Sequence, residues 1–354
     1  MSPLDWGLGH ASRCVPIIRL LLEQGCKVTV GTSGGAATFL KNEFSELDHI
    51  NLEGYNIRYP SNGKMGMSMA RQVPSILRAI KKEHRLLDKL IDSHQIDAVI
   101  SDNRFGMWSK KVPAIYITHQ VMIKAPSNFP FAESLLYNIH KRYINKFTEC
   151  WIPDDEEVPG LSGDLAHQNH PGIPSFFIGP QSRFKRQGKT SSEKKYPLLF
   201  IISGPEPQRS IFEQKILGQL RTSNLRALIL RGRPEEGKRV RHDGNIEIYP
   251  HMDTADMLNA ILSSELIICR SGYSSIMDLA ILGIPAVLVP TPGQTEQEYL
   301  ARLHLKEGNY YSVSQDDLDL NDIAHTAKKF TGLHLSNNNE ILSERIRQLI
   351  DSLD

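Results

Sequence analysis

The sequence contains little cysteine, no long apolar run and no excess of charge of either sign. Its four cysteines, Cys14, Cys26, Cys150 and Cys269, are widely separated and form neither a CxxC pair nor a Cys/His ligand spacing. This pattern argues against a disulfide framework and a structural zinc site. No apolar run reaches the roughly 18 to 20 residues of a membrane span, and the N-terminus lacks a signal-peptide core. We therefore expect a cytoplasmic protein with reduced thiols.

Charge is balanced, with 41 Lys and Arg against 40 Asp and Glu and a formal net charge of +1. Because no global basic field is present to hold nucleic acid, we expect no nucleic-acid partner. Internal repeats and low-complexity tracts are also missing. The length of 354 residues and the 40% hydrophobic content favour two α/β domains, since single cores rarely grow beyond roughly 250 to 300 residues.

Segments with helical and strand periodicity alternate in the first half, as parallel sheets require. The predicted elements are helices at 11–24, 36–44 and 67–92 and strands at 27–30, 97–101 and 114–118. Pro74 is expected to interrupt the third helix. Only four residues precede Asp5. The strand that normally leads into a glycine loop such as Gly7–His10 is therefore expected to be a stub or to be encoded upstream.

The alternating pattern restarts in the second half. Residues 179–196 are rich in Lys, Ser, Gly and Gln and lack hydrophobic periodicity, which indicates an exposed connection. The elements predicted after it are strands at 198–202, 227–230 and 246–249 and a helix at 210–220. We predict an N-terminal Rossmann-like domain at 1–180, a linker at 181–196, a second Rossmann-like domain at 197–336 and a last helix at 337–354 that packs back toward the first domain.

The helical segment around residues 71–89 is basic and amphipathic. Its polar face carries Arg78, Lys81, Lys82, Arg85 and Lys89. Such a helix can lie on an anionic bilayer, which would bring the protein to the inner face of a membrane and to lipid-linked molecules there. Acidic residues interleave with the basic ones, which is typical of a solvated face. Both interpretations stay open.

A polar loop opens a helix at residues 270–275. The buried strand 266–269 is followed by Arg270, Ser271, Gly272, Tyr273, Ser274 and Ser275, after which apolar residues take up helical spacing. The N–H groups at a helix start can bind phosphate, Gly272 allows close backbone approach, and the three serines add hydroxyl donors. Serines at a helix start are equally typical of ordinary N-caps.

A second polar loop reaches the same edge of the predicted sheet. The turn Gly283–Pro285 leads into a strand at 286–289, and residues 290–299 bring a further loop and helix start. Carboxylate and amide side chains of the kind found here can pair with a ribose diol and with sugar hydroxyls. The candidates are Asp278, Gln294, Gln297 and Glu298. Two polar loops at adjacent strand ends predict a ligand pocket.

The order R-S-G, an acidic residue six positions later, G-I-P, V-P-T-P and Q-E-Y resembles the donor site of glycosyltransferase family 28. The resemblance covers the segment from Cys269 to Tyr299 and is looser elsewhere. It implies a GT-B fold, with two doubly wound Rossmann-like domains facing across a cleft. It also implies an enzyme that uses a UDP-sugar, such as a hexosamine donor, as its substrate and needs no cofactor.

Site roles follow from the same resemblance. Asp278 would bind ribose, the loop 270–275 would face the diphosphate, and Gln297 with Glu298 would contact the donor sugar. Ser203 and Gly204 correspond to the family's glycine-rich loop, although Pro205 and Pro207 each remove an N–H donor there. His251 and Met252 lie where the family contacts the base.

Candidate catalytic residues lie in the first half. Gly7–His10 resembles the family's glycine loop ending in His, and His119-Gln120 resembles its His-Glu-Gln segment with Glu missing. Inverting transfer needs a base for the acceptor hydroxyl, and the positive N-terminus of a helix would keep a nearby imidazole neutral. We predict His10 as the base, with His119 and Asp102 as rivals. Arg104 could hold an acceptor phosphate or could be solvated.

Metal dependence is not implied by the sequence. Metal-dependent sugar transferases typically place a DxD at a strand end, whereas the nearest candidate here, Asp317-Leu318-Asp319, lies in an acidic segment after the donor motif. The positive end of a helix can offset the charge of the leaving diphosphate instead. We therefore expect no metal site.

Three alternative functions stay open. The run Gly9-His10-Ala11-Ser12-Arg13-Cys14 also resembles the G-H-x-x-R-C run of nucleotide-sugar hydrolases, in which water replaces the acceptor. A nucleotide-sugar 2-epimerase would need paired acidic and His residues that the sequence does not identify. A non-catalytic nucleotide-sugar-binding subunit would explain the missing Glu and the two prolines. Donor sugar, acceptor and oligomeric state are not determined.

Overall fold

A computed structural model describes residues 1–55, 57, 65–126, 129–185, 193–223, 225–335 and 339–353, with the side chains of 65–70 and 324 outside the description. The chain forms two compact units. The first contains the described residues of 1–57, 66–183 and 337–354, and the second contains those of 58–65 and 184–336. No helix in the described part of the chain is long and apolar enough to cross a membrane.

Helices and strands alternate through both units. The first unit begins with β1 (Ser2–Pro3), α1 (Gly9–Glu23), β2 (Thr29–Thr32), α2 (Gly34–Glu43), β3 (Asp48–Asn51), α3 (Met65–His94), β4 (Val99–Asp102), β5 (Ala114–Ile117), α4 (Ala132–Ile144), β6 (Glu149–Ile152), α5 (Asp164–His167) and β7 (Ser175–Phe177). The second unit contains β8 (Tyr196–Ile201), α6 (Gln208–Ser223), β9 (Ala227–Leu230), β10 (Arg241–Asp243), β11 (Ile246–Tyr249), α7 (Thr254–Leu262), β12 (Ser264–Cys269), α8 (Tyr273–Leu282), β13 (Ala286–Leu288), α9 (Thr295–Lys306), β14 (Tyr311–Ser312) and α10 (Leu320–Ala327). The last helix, α11 (Glu340–Asp351), belongs to the first unit.

The first unit is built on a parallel sheet of order β1-β4-β5-β6-β7 and a parallel pair β2-β3. The first strand is a two-residue stub paired with β4, and Gly31 N donates to Met1 O at 2.9 Å beside it. The apolar face of α1 is buried against one side of the sheet. Its branched side chains repeat at helical spacing and therefore lie on one face of the helix. Leu342 and Ile346 of α11 are fully buried in the same core.

The second unit contains one sheet of order β10-β11-β9-β8-β12-β13-β14, in which only β10 is antiparallel. From β8 the chain runs through β9 and β11 on one side, and then continues on the other side through β12 and β13. This reversal is a topological switch point, where ligands bind outside the carboxyl ends of the strands. The loops after β8 and β12 flank that point.

Two expectations about elements are wrong. Pro74 lies inside one uninterrupted helix, α3. The connection predicted at 179–196 is buried at its start, where Gln181 and Arg183 are 1% and 7% exposed. Gln181 Nε2 donates to Ile178 O at 2.8 Å, and the Arg183 guanidinium lies 5.2 Å from the centre of the Phe39 ring. Polar composition does not reveal such partners.

Candidate functional site

The residues predicted to hold a nucleotide sugar lie at the carboxyl edge of the sheet in the second unit. They follow β8, β11, β12 and β13 and are Ser203, Gly204, His251, Met252, Arg270, Ser271, Gly272, Ser274, Ser275, Asp278, Gln294, Gln297 and Glu298. Only β9 separates β11 from β8, and β12 and β13 are neighbours. The strand order therefore brings these loops to one edge.

The loop after β12 leads into the start of α8. Gly272 is the N-cap of α8 and has no side chain to cap the helix, while the N–H groups of Ser275 and Ile276 reach back to Gly272 O at 3.0 and 3.1 Å. Ser274 and Ser275 are half-buried. Because β12 lies next to β8, the positive end of this ten-residue helix lies at the switch point.

Gln297 joins the two polar loops. Its Oε1 accepts from Thr291 N at 2.9 Å, and its backbone oxygen accepts from Ser271 Oγ at 2.8 Å. A Cβ added to Gly272 would lie 3.8 Å from Gln297 Nε2. Because the carbonyl of the amide is taken by Thr291, the amino group is turned toward the start of α8.

The second loop carries unsatisfied polar atoms. Gln294 Oε1 and Thr291 Oγ1 are buried and have no hydrogen-bond partner among the residues that the structure describes. An unpaired buried polar group costs about 1 to 3 kcal/mol, so a ligand that supplies partners would recover it. Glu298 Oε1 instead accepts from Gly293 N at 2.8 Å and shapes the turn.

Asp278 lies in the second turn of α8 and is half-buried. Burial, followed by the charge of Asp278, raises the pKa of the Cys269 thiol to about 12. Cys269 is the last residue of β12, so the carboxylate lies near the strand end from which the polar loop starts. A carboxylate in this position can accept two hydrogen bonds from neighbouring hydroxyls.

The guanidinium of Arg270 contacts other segments of the chain. It is fully buried, its Nη1 donates to Val289 O and Pro290 O at 3.3 and 3.2 Å, and its Nη2 donates to Gln315 Oε1 at 2.7 Å. Its guanidinium carbon lies 3.9 Å from the centre of the Phe212 ring, and burial lowers its pKa to about 9. The guanidinium links Arg270, which follows β12, to the residues that follow β13, because it donates to their carbonyl oxygens.

The loop after β8 already holds an anion of its own. Gly204 has a φ of +99° and nothing within 4 Å of an added Cβ. The Glu206 carboxylate accepts from Ser210 N at 3.2 Å and from Arg209 Nη2 at 3.0 Å, and it also pairs with Arg233. His251, two strands away, is buried. The first turn of α6 is therefore occupied by the chain's own carboxylate.

The first unit brings all three candidate catalytic residues together. His10 Nδ1 lies 2.7 Å from Asp102 Oδ1, and Arg13 Nη1 lies 2.8 Å from His119 Nδ1. Arg13 also donates from Nε and Nη2 to the two oxygens of Asp102. Cys14 Sγ lies 3.7 Å from Asp102 Oδ2. The cluster joins the start of α1 to the ends of β4 and β5.

The three candidates differ in exposure and charge. Burial opposes ionisation of Asp102, but Arg13 and His10 outweigh it and hold the pKa of this carboxyl well below its ordinary value. Asp102 is fully buried and His119 is 4% exposed, whereas the His10 side chain is 15% exposed. Asp102 is too weak a base and too enclosed, and His119 is also almost fully buried. His10 is the candidate that the geometry favours as a base.

Arg104 neither reaches the surface nor offers an anion site, so both sequence interpretations are wrong. It is fully buried, and its Nε lies 2.5 Å from Glu83 Oε1. Glu83 Oε2 accepts from Tyr55 OH and Gly106 N at 2.7 and 2.8 Å. Arg13 was not predicted to have a role. Its place in the G-H-x-x-R-C run, one helical turn after His10, was the available signal.

The two aspartates of the acidic segment after the donor motif form hydrogen bonds with nearby residues. Asp317 Oδ2 accepts from Ser314 Oγ at 2.6 Å, and Asp319 caps α10 by accepting from Asn321 N at 2.9 Å. Within the described ranges, no group of three or more His, Cys, Asp or Glu side chains is arranged to hold a metal ion.

Comparison with known proteins gives a consistent result. The model of the glycosyltransferase family 28 C-terminal domain matches residues 199–348. The UDP-N-acetylglucosamine--N-acetylmuramyl-(pentapeptide) pyrophosphoryl-undecaprenol N-acetylglucosamine transferase of Chlorobium limicola is 30% identical over 333 residues, which cover 90% of this chain and 87% of that protein.

Solved structures are similar over the whole chain. The glycotransferase of kitacinnamycin superimposes with a TM-score of 0.62 at 14% identity, covering 100% of this chain and 93% of that one. MurG of Acinetobacter baumannii superimposes with a TM-score of 0.55 at 15% identity, covering 98% of both chains. Such low identity is informative for the fold alone. The predicted GT-B class with two Rossmann-like domains is confirmed.

Proposed function

Because the chain belongs to glycosyltransferase family 28, we propose that this glycosyltransferase moves a hexosamine from a UDP-sugar to an acceptor hydroxyl, with inversion and without a metal ion. The observation that carries the donor assignment is the start of α8 at the switch point, where Gly272 is the N-cap, beside the fixed amide of Gln297. Phosphate binds at such helix starts. The Chlorobium relative is named as using UDP-N-acetylglucosamine, which supports this donor class.

The proposed chemistry is a single displacement. His10 Nε2 takes the proton of the acceptor hydroxyl, and the oxygen forms a bond to the anomeric carbon of the sugar. The bond from that carbon to the diphosphate breaks on the opposite face, so the configuration inverts and UDP leaves. The positive end of α8 stabilises the charge that develops on the diphosphate.

Calorimetric titration with UDP-, GDP-, CDP- and TDP-sugars tests the donor assignment. We expect the UDP-sugar to bind and Asp278→Ala to weaken its binding by about 1 to 3 kcal/mol, because a charge-assisted hydrogen bond to the ribose is lost. Asp322, on the exposed surface of α10, provides the control Asp322→Ala with the same charge change. Equal affinity in the two variants would refute the role of Asp278.

The same preparations separate the alternative functions. Release of free sugar from the UDP-sugar without an acceptor would indicate a hydrolase, and binding without turnover under any acceptor would indicate a non-catalytic subunit. His10→Gln should lower turnover by about 100-fold or more while donor affinity stays unchanged, since that is the usual loss for a general base. Turnover that withstands chelation by EDTA would support metal independence.

We propose further that the acceptor is lipid-linked and that α3 and α4 lie on an anionic membrane surface. Exposed apolar side chains occur on and just before α4, where Phe131 is 78% and Leu135 62% exposed, and on α3, where Leu77 is 41% exposed. Both helices contribute to one apolar cluster through Ile80 and Tyr143. The exposed basic side chains of α3 supply attraction to anionic lipid.

Sedimentation with vesicles tests this surface. The chain should bind phosphatidylglycerol vesicles and not phosphatidylcholine vesicles, and Phe131→Ser with Leu135→Ser should reduce that binding. Ile341→Ser on α11 is the matched control, because Ile341 is 50% exposed on another helix of the same unit. Equal vesicle binding by the two variants would contradict the proposed surface.

A further inference from the structure

Arg13 is a buried side chain with several contacts in the cluster around His10. It is 1% exposed and contacts three functional groups at once. Its Nε and Nη2 form a fork on the two oxygens of Asp102, its Nη1 lies 2.8 Å from His119 Nδ1, and its Nη2 lies 2.8 Å from His10 Nδ1. No role in the reaction has been given to it so far.

These contacts limit which ring nitrogens carry protons. A guanidinium can only donate hydrogen bonds, so His119 Nδ1 accepts, and the proton of His119 is on Nε2. His10 Nδ1 lies 2.7 Å from Asp102 Oδ1, which can only accept, and 2.8 Å from Arg13 Nη2, which can only donate, so this nitrogen can serve only one of the two. Arg13 Nη2 already donates to Asp102 Oδ1, and donation by His10 Nδ1 to the same carboxylate leaves a lone pair on His10 Nε2. In that arrangement the two histidines hold opposite tautomers around one guanidinium.

Charge is balanced at the same place. The ionised carboxylate of Asp102 alone would favour an imidazolium at His10, and an imidazolium cannot act as a base. The Arg13 cation lies 2.8 Å from the same Nδ1, against 2.7 Å for the carboxylate. The other groups in the cluster are uncharged, because His119 is neutral and burial raises the pKa of the Cys14 thiol.

We propose that Arg13 is a positioning residue that sets the tautomers of His10 and His119 and cancels the charge of Asp102 on His10, so that His10 stays neutral with its lone pair on Nε2. The proposal rests on the proposed use of His10 as the base, but its test needs no substrate.

Nitrogen-15 NMR of histidine-labelled wild-type chain measures the tautomers directly. His10→Gln and His119→Gln assign the signals. We expect a protonated Nδ1 at His10 and an unprotonated Nδ1 at His119. A bare Nδ1 on His10, or a protonated Nδ1 on His119, would overturn the proposal. Neither result depends on UDP-sugar binding, so a failure here is distinct from a failure of the donor assignment.

Titration of the same labelled histidines tests the charge. Arg13→Gln should raise the titration midpoint of His10 by about one to three pH units, because the nearby carboxylate is no longer balanced. Arg19→Gln is the matched control, because Arg19 lies on the same helix, is 38% exposed and pairs with Glu43. It should leave the midpoint of His10 unchanged. An unchanged midpoint in Arg13→Gln would also overturn the proposal.

A variant that fails to fold does not leave the question open. Arg13→Gln removes two donors from a buried carboxylate, which can unfold the first unit. In that case the tautomers of the wild-type chain decide, together with Arg13→Lys. The lysine keeps the positive charge, so the titration midpoint of His10 should stay close to the wild-type value. A rise in Arg13→Lys as large as that expected for Arg13→Gln would contradict the charge argument.

Discussion

Acid should weaken the first unit through His140, a residue outside the candidate sites. His140 lies on α4 and is 4% exposed, its Nδ1 donates to Val121 O at 3.2 Å, and its Nε2 lies 3.3 Å from Tyr116 OH. Burial lowers its pKa from 6.5 to about 4. The folded state therefore holds a neutral imidazole at a pH where the unfolded chain already binds a proton.

The sign and size of the effect follow from this difference. Above pH 6.5 both states are neutral at this residue, and the unfolding free energy is independent of it. As the pH falls from 6.5 to 4, the unfolded state takes up the proton first and stability is lost. The full difference of 2.5 units corresponds to about 3.4 kcal/mol, and about 2 kcal/mol of it is lost between pH 8 and pH 5.

Tryptophan fluorescence in urea provides the assay. All three tryptophans, Trp6, Trp108 and Trp151, lie in the first unit, so the signal reports on the unit that contains His140. The loss between pH 8 and pH 5 should be about 2 kcal/mol smaller in His140→Gln than in wild type. His94→Gln, at an exposed position at the end of α3, should behave as wild type. Equal losses in wild type and His140→Gln would refute the reasoning.

Two further predictions concern buried polar contacts. Arg104→Met should lower the unfolding free energy by about 3 to 5 kcal/mol, because it leaves the Glu83 carboxylate buried and uncompensated, and adding Glu83→Gln should recover most of the loss in the same fluorescence assay. A double variant that recovers none of the loss would contradict the explanation by a buried ion pair. Gln297→Glu keeps the acceptor for Thr291 N but replaces the amino group near α8 by a charged oxygen. It should weaken UDP-sugar binding at least about tenfold by calorimetry, while Gln219→Glu in α6 should not.

Much of the second unit could be predicted from its sequence. The strands at 227–230 and 246–249 were predicted to the residue, because short apolar runs between turn signals are typical of buried parallel strands. In the first unit β6, β7 and α4 were not predicted. Their segments mix aromatic and polar residues, and α4 exposes Leu135 and Ile139. None of the three segments therefore shows a clear hydrophobic period.

The candidate site divides in the same way. Strand ends and helix starts follow from the order of elements, so the loops at the donor edge could be placed from sequence. The direction in which a side chain points could not be predicted from sequence. Arg270 and Arg104 both follow buried strands and are of the residue type that anion sites use. Each side chain nevertheless points inward to carbonyl or carboxylate partners that come from other segments. Only the tertiary structure brings those partners within reach.

The first unit takes its last helix from the far end of the chain. During synthesis α1 emerges before the second unit, whereas Leu342 and Ile346, which are buried in the same core as its apolar face, emerge after that unit. The second unit is encoded between them and can bury its own core while that face is still uncovered. A nascent chain can therefore complete the second unit before the first, and the apolar face of α1 is open to association with other chains until α11 has been made.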